Sequence, residues 1–308
     1  MPLAAVIIAD FIFLAVLAVA AWAFIASWTY ILHRWFRGRA VIAYRPRRPA
    51  PWKAVDLAVV AVIFLAAQAC VYFAAIKYLG PDAVRPPAMF TPNEAGTQHA
   101  TVQLIIGGNA WILLICGFSA IIAAPIVEEF LFRVMLQGWL ASFERRHRRR
   151  MPTLRRLLPR AFLPIALASL VFAMMHFRIA GPSINKHLMV LLMAGNAAAG
   201  LLTLVLAVLI LKLNRGATAA DFGWSPGTLL RDVRLGLTAF GAVCIPLFTL
   251  QYALILLMPD YVAADPIPLF FFSCVLGALY YRTNSIVPAI VLHASLNATS
   301  FLAAWILG

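Results

Sequence analysis

The sequence predicts an all-α membrane protein, a polytopic bundle of about eight transmembrane helices. The chain has 308 residues, of which 64% are hydrophobic and 12% are charged, and its mean hydropathy is +0.91. Soluble domains typically carry about 25% charged residues and about 45–50% apolar residues. The apolar residues form continuous runs, each near the ~20 residues that a helix needs to cross a bilayer. A segment inside lipid must satisfy its own backbone hydrogen bonds, and runs without alternation predict helices rather than a closed barrel.

Each apolar run predicts one span. The third run contains Pro125, and a proline removes one helix hydrogen bond. That run is therefore predicted to be either one span with a continuation or two broken helices. The runs cover residues 4–32, 55–79, 103–143, 161–180, 187–213, 234–258, 267–281 and 285–306.

The charge distribution predicts an orientation in the membrane. The net charge is +14, but the positive residues cluster in the loops 34–53, 145–160 and 212–234, whereas the loops 80–100 and 259–266 contain few of them. The positive-inside bias places those clusters in the cytoplasm and the N-terminus outside, in an inner or plasma membrane. The arginine runs are then expected to contact the bilayer's anionic headgroups, with a specific anionic partner as the alternative. Nucleic acid is not an expected partner.

Two adjacent glutamates lie in the third apolar run, in the pattern E-E-x-x-x-R formed by Glu128, Glu129 and Arg133. A charge inside hydrocarbon is costly unless it is paired or faces water, so these residues are functional-site candidates. Glu129 and Arg133 are four residues apart and share a helix face, where they can neutralise each other. Glu128 points about 100° away and could face a water-filled cavity. The alternative is one buried ion network that only joins helices.

Two further polar pairs occur at helical spacing in apolar runs. Phe172 and His176 form F-x-x-x-H, and His293 and Asn297 form H-x-x-x-N. A lone histidine in such a run is more often a satisfied core residue than a ligand, and Asn297 alone could be a helix–helix hydrogen-bonding residue. At 1.5 Å per residue, Glu128 and His176 lie roughly 20 Å from the arginine loop, and His293 lies roughly 12 Å from the start of its span. The three groups can therefore meet at one depth.

A glutamate, two histidines and an asparagine in a membrane cavity favour water activation. A desolvated carboxylate can act as a general base, and histidine and amide groups can stabilise an oxyanion. Alternatively, Glu128, His176 and His293 could hold a divalent ion such as zinc, whose bound water would be the nucleophile. The zincin pattern H-E-x-x-H is absent from the sequence.

Together the three motifs, in this order on apolar helices, resemble the CPBP family of CAAX-processing and bacteriocin-processing proteases, also called the Abi family. The flanking Ala-Pro-Ile-Val and Tyr-Tyr-Arg-Thr-Asn-Ser agree, and the resemblance covers roughly 111–182 and 266–308. It implies an intramembrane endopeptidase that acts on a membrane-associated peptide or protein, with CAAX-type C-terminal processing as the family's best-known reaction. The implied roles are water activation by Glu128, assistance by His176, oxyanion stabilisation by His293 and Asn297, and support by Glu129, Arg133 and Phe172.

The resemblance also divides the chain. Residues 1–100 are predicted to form membrane-anchoring spans and loops, and residues 101–308 a CPBP-like protease domain with an inserted two-span segment at about 183–265. Two added spans return the chain to the same side of the membrane, so the insertion need not disturb the site. The alternatives are a non-catalytic scaffold or immunity-type protein of the same fold, and a transporter with a proton relay. A scaffold does not need the motif's polar residues, and a relay requires them along a path rather than at one depth.

Overall fold

The fold of the described chain is entirely helical. A computed structural model describes residues 3–46, 48–80, 109–148, 158–176, 186–257 and 266–307, and the regular elements in these ranges are helices and one short 3₁₀ turn. The predicted all-α helix bundle is confirmed. We number the helices α1 Leu3–Phe36, α2 Ala54–Leu79, α3 Ala110–His147, α4 Phe162–Met175, α5 Lys186–Arg215, α6 Leu229–Leu257, α7 Pro266–Thr283 and α8 Val287–Leu307.

Five of the described helices, α2, α3, α5, α6 and α8, are long and apolar enough to cross a membrane. The α4 helix is apolar but shorter. Large apolar side chains such as Leu65, Phe73 and Leu206 are exposed on the outer faces, as expected where lipid rather than water surrounds a bundle. The chain is thus an integral membrane protein, while the total of about eight spans stays a prediction.

The α3 helix runs without a break, so the single-span alternative with a continuation is the observed one. Two π-helical turns, Phe118–Ala123 and Phe130–Gln137, flank the short α-helical stretch Ala124–Glu129 that contains Pro125 and both glutamates. A π-helical turn shifts the backbone hydrogen bonds by one residue, which accommodates the missing proline N–H. With 38 residues, α3 is about 57 Å long at 1.5 Å per residue and extends beyond the hydrocarbon layer.

The N-terminal helices pack on the helices that lie between the second and third motifs. The Trp28 indole nitrogen on α1 donates a hydrogen bond to the Ala242 carbonyl on α6, and Gly195 on α5 lets Val71 on α2 approach. The α4 helix packs on α7, and α6 packs on α8. The assignment of 183–265 as an insertion stays a prediction. Its two helices join α1 and α2 to the rest of the bundle.

At one end of the bundle, the loop between α1 and α2, described over 37–46 and 48–53, contacts the ends of several helices. Three arginine–aspartate pairs connect this region: Arg45 with Asp232, Arg48 with Asp221, and Arg215 with Asp56. The indole of Trp52, which is 1% exposed, donates to the Met135 carbonyl and stacks on Phe222. The loop and the residues around 216–232 therefore form one layer at this end of α3, α7 and α8.

Candidate active site

Three helices bring Glu128, His176 and His293 together. Glu128 lies on α3, His176 directly follows α4, and His293 lies on α8. Oxygen Oε2 of Glu128 is 3.8 Å from Nε2 of His176 and 3.8 Å from Nε2 of His293. The side chains of Glu128 and His176 are 26% and 32% exposed, whereas that of His293 is 6% exposed. The centre is therefore recessed and still reachable.

The other nitrogen of each imidazole is held by an oxygen that can only accept a hydrogen bond. Nδ1 of His176 lies 2.8 Å from the Phe172 carbonyl oxygen, and Nδ1 of His293 lies 3.0 Å from Oε1 of Glu129. Each Nδ1 must therefore carry the proton and donate it. In the neutral rings, both Nε2 lone pairs are consequently free to accept, and both face Glu128.

Glu128 Oε2 itself is buried and has no hydrogen-bond partner among the described residues. The 3.8 Å separations from the two Nε2 atoms exceed a direct hydrogen bond but match the span of one bridging water. A water has two hydrogens to donate, and three acceptor atoms converge here. The arrangement can therefore bind and orient a water for deprotonation by the carboxylate.

Glu129 has a different environment from its neighbour. It is fully buried and pairs with the fully buried Arg133, with 3.0 Å between its Oε2 and the arginine Nε, as their spacing predicts. The Arg133 Nη2 atom donates to the Ser273 hydroxyl on α7 at 2.7 Å. Glu129 thus links α3 to α8 through His293, and Arg133 links α3 to α7.

Phe172 positions both histidines. Its ring centre lies 4.6 Å from that of His176 and 5.9 Å from that of His293, and the Arg133 guanidinium carbon lies 5.5 Å from the same ring centre. Phe272 also contacts the His293 ring edge-to-face. These aromatic contacts restrict the imidazole orientations on which the centre depends.

Asn297 lies one turn beyond His293 on α8. Its amide nitrogen donates to the Ala120 carbonyl at 2.7 Å, in the first π-helical turn of α3. The helix–helix hydrogen bond that the sequence left open is therefore present. An amide nitrogen has a second hydrogen, so this contact leaves the oxyanion role open as a proposal.

The donor types of the centre suit a metal, but their arrangement does not form a metal site. A zinc ion requires its nitrogen and oxygen ligands at about 2.0–2.2 Å from one point, in a tetrahedral set. Within the part of the chain that the structure describes, no three His, Cys, Asp or Glu side chains are arranged to hold a metal ion. The metalloprotease arrangement thus has no support among the described residues.

Sequence patterns did not identify Ser273, Phe272 or Gln137 as neighbours of the site. Ser273 is the one hydroxyl in the apolar run that precedes Gly277 and is fully buried. A lone buried hydroxyl in such a run is a weak signal, because it more often bonds its own helix. Its partner Arg133 lies 140 residues away in the chain, so only the packing of α3 on α7 reveals the contact.

Comparison with known proteins matches most of the chain to a protein family. The family model described as type II CAAX prenyl endopeptidase, Rce1-like, matches residues 109–220 and 223–299. These stretches contain Glu128, His176, His293 and Asn297. No curated protein and no solved structure matches the chain significantly.

Proposed function

The chain belongs to the Rce1-like family of type II CAAX prenyl endopeptidases, and from that premise we propose that it is an intramembrane endopeptidase in which Glu128 activates a water. The substrate is a membrane-associated peptide or protein, with a prenylated CAAX C-terminus as the first candidate. Cleavage would occur in the half of the membrane that the charge distribution assigns to the cytoplasm. The observation that supports this proposal is the convergence of two Nε2 atoms on one buried Glu128 oxygen, each at 3.8 Å.

In the proposed reaction, a water lies between Glu128 and His176. Its first hydrogen faces the carboxylate and its second faces the His176 Nε2 lone pair, which orients the oxygen towards the substrate carbonyl. Glu128 accepts the proton as the water oxygen bonds to the carbonyl carbon. When the carbon–nitrogen bond breaks, the protonated Glu128 returns that proton to the leaving amine, and the carboxylate is restored.

His293 and Asn297 are the proposed oxyanion donors. His293 can donate from Nε2 only when both ring nitrogens carry protons, and the Glu129 carboxylate at Nδ1 is placed to pair with that cation. Asn297 would donate its second amide hydrogen. Groups that are already oriented before the charge develops need no rearrangement during the reaction.

The first test uses a farnesylated CAAX reporter peptide and purified protein in detergent or liposomes. Glu128→Gln, His176→Ala and His293→Ala are each expected to lower turnover by at least about 100-fold, because proton transfer and oxyanion stabilisation contribute at that level. Folding is expected to survive in Glu128→Gln, since the Glu128 side chain is 26% exposed and its nearest ion partners among the described residues lie 3.8 Å away.

The chain supplies matched controls at the end of α3. His147 Nδ1 donates a hydrogen bond to the Phe143 carbonyl oxygen, and the imidazole stacks on the Phe143 ring, the same local arrangement as His176 on Phe172. Glu144 pairs with Arg148 outside the site. His147→Ala and Glu144→Gln should therefore keep full turnover. If Glu128→Gln cleaves the reporter at the wild-type rate, Glu128 has no part in the mechanism. That result would favour the non-catalytic scaffold.

Chelation tests the zinc alternative separately. With side-chain catalysis alone, incubation with 1,10-phenanthroline followed by its removal leaves reporter cleavage unchanged. Loss of cleavage that added zinc restores would instead show that Glu128, His176 and His293 hold a metal in the working enzyme. Direct inhibition by the chelator is checked with its non-chelating 1,7 isomer.

A further inference from the structure

A seam of buried polar groups runs along the contact between α3 and α7. Glu129, Arg133 and Gln137 lie one turn apart on α3, and each is at most 1% exposed. Opposite them, the Ser273 hydroxyl accepts from Arg133 Nη2 at 2.7 Å, and the Gly277 carbonyl accepts from Gln137 Nε2 at 2.8 Å. The seam begins at the glutamate that holds His293.

Two atoms of this seam are buried without a partner. In the described part of the chain, neither Arg133 Nη1 nor Gln137 Oε1 has a hydrogen-bond partner. One is a donor and the other an acceptor, on adjacent turns of the same helix. The Gln137 amide cannot simply rotate to exchange its ends, because its nitrogen is engaged by the Gly277 carbonyl. Leaving such buried groups unsatisfied is costly, and a bound water offsets that cost.

Gln137 also borders a small cavity. Its volume is about 20 Å³, enough for one water molecule, which requires roughly 10–15 Å³ by this measure. Tyr44 and Arg145, which border it, are exposed, so the cavity meets the surface at the end of the bundle that carries the arginine loops. Its polar lining consists of Tyr44, Gln137, Arg145, Tyr280, Tyr281 and Asn284.

The residue opposite Gln137 has no side chain. A Cβ atom at Gly277 would lie 2.9 Å from Gln137 Oε1 and 3.0 Å from a methyl carbon of Ile165. Any larger residue would press on the amide. The glycine therefore leaves the space that the buried glutamine occupies between the cavity and Arg133.

We propose that Gln137 is a water-positioning residue and that the α3–α7 seam is a hydration path from this surface to the Arg133–Glu129 pair. Peptide hydrolysis consumes one water for each bond cleaved, and Gln137 lies about 12 Å along α3 from Glu129. Water in the cavity accepts from or donates to the Gln137 amide, and a second water bridges Gln137 Oε1 and Arg133 Nη1. The use of this path in catalysis rests on the proposed function; the presence of water does not.

The direct test is X-ray hydroxyl-radical footprinting of the full-length protein, which labels side chains beside bound water. Tyr280 is 3% exposed and borders the cavity, so without internal water it should label at background rate. We expect clear labelling of Tyr280 in the wild type and a loss of about tenfold in Gln137→Met, which keeps the length of the side chain but removes both polar groups. Ala141→Val, which adds two methyl groups at a residue that lines the cavity, should reduce the same signal.

Gln68 supplies the matched control. Its Oε1 atom is also buried without a hydrogen-bond partner among the described residues, but it lies on α2, away from the seam. Gln68→Met should leave Tyr280 labelling unchanged. Two results would overturn the proposal. One is labelling of Tyr280 at only the background rate in the wild type. The other is equal labelling of Tyr280 in the wild type and in the folded variants Gln137→Met and Ala141→Val.

Catalysis is measured separately on the farnesylated reporter. If the seam supplies water, Gln137→Met lowers kcat by about tenfold with little change in KM. An unchanged kcat with reduced labelling would show a structural water site and overturn the catalytic use of the path. If wild-type protein does not cleave the reporter at all, the proposed function fails, while the footprinting result still decides whether the seam is hydrated.

Discussion

At the scale of single residues, two neighbouring glutamates differ because a helix turns by about 100° per residue. Glu128 is partly exposed and faces two imidazole nitrogens at 3.8 Å. Glu129 is fully buried between Arg133 and His293. The first can exchange a proton with a water, while the second is held as a charge that orients His293. The same side chain thus has a proposed chemical role at one position and a structural role at the next.

Glu129→Gln should lower stability strongly. The substitution leaves the Arg133 guanidinium, which is 0% exposed, without its counter-charge, and breaking a buried pair typically costs about 3–5 kcal/mol. We expect a corresponding fall in the free energy of unfolding, measured by titrating detergent-solubilised protein with denaturant. Glu144→Gln removes an i,i+4 partner outside the site and should cost less. Wild-type stability in Glu129→Gln would show that the buried pair contributes nothing net.

At the scale of elements, the position of α8 decides whether the site exists, because α8 carries both His293 and Asn297. Three contacts locate it: the Glu129–His293 hydrogen bond, the Asn297–Ala120 hydrogen bond and the close packing of α6. The π-helical turn at Phe118–Ala123 contains the Ala120 carbonyl that accepts from Asn297. The irregularity in α3 therefore lies where another helix is attached.

Gly236→Ala should displace α8. A Cβ at Gly236 on α6 would lie 2.7 Å from the Val291 Cβ and 2.8 Å from the Pro288 carbonyl oxygen, and backbone at that distance cannot move aside without shifting the helix. Overpacking of this kind costs about 1–3 kcal/mol. Thermal unfolding and reporter turnover should both fall. Gly227→Ala, where a Cβ would meet nothing within 4 Å, should change neither.

At the scale of the whole molecule, ion pairs outside the membrane connect segments that are far apart in the chain. The Arg48–Asp221 pair joins the loop 37–53 to the segment that follows α5. Burial alone would raise the pKa of Asp221, but hydrogen bonds from Arg48 and Thr218 outweigh it and lower this pKa to about 2. A carboxylate with a lowered pKa stabilises the fold above its unfolded pKa, and that contribution disappears as the pH falls through the folded pKa.

Comparing Asp221→Asn with the wild type should therefore give a pH-dependent difference. The wild type is expected to have the higher Tm at about pH 6, and the gap should narrow as the pH falls below about 3.9, the ordinary aspartate pKa, towards 2. Thermal unfolding in an acid-stable detergent at several pH values measures this. If the difference in Tm between the two proteins is the same at about pH 6 and about pH 2.5, the charge of Asp221 does not stabilise the loop layer.

The membrane class, most helix positions and the motif residues follow from the sequence, because apolar runs and four-residue spacings are local properties. The Glu129–Arg133 pair follows for the same reason. The tertiary structure decides the contacts between helices. It determines which glutamate faces both histidines and which oxygen accepts from each Nδ1. It also brings Asn297 to Ala120 and places Ser273 and Gln137 on one seam. Those contacts join residues as far as 177 positions apart. Helical periodicity determines only which face a residue occupies, and packing determines what that face meets.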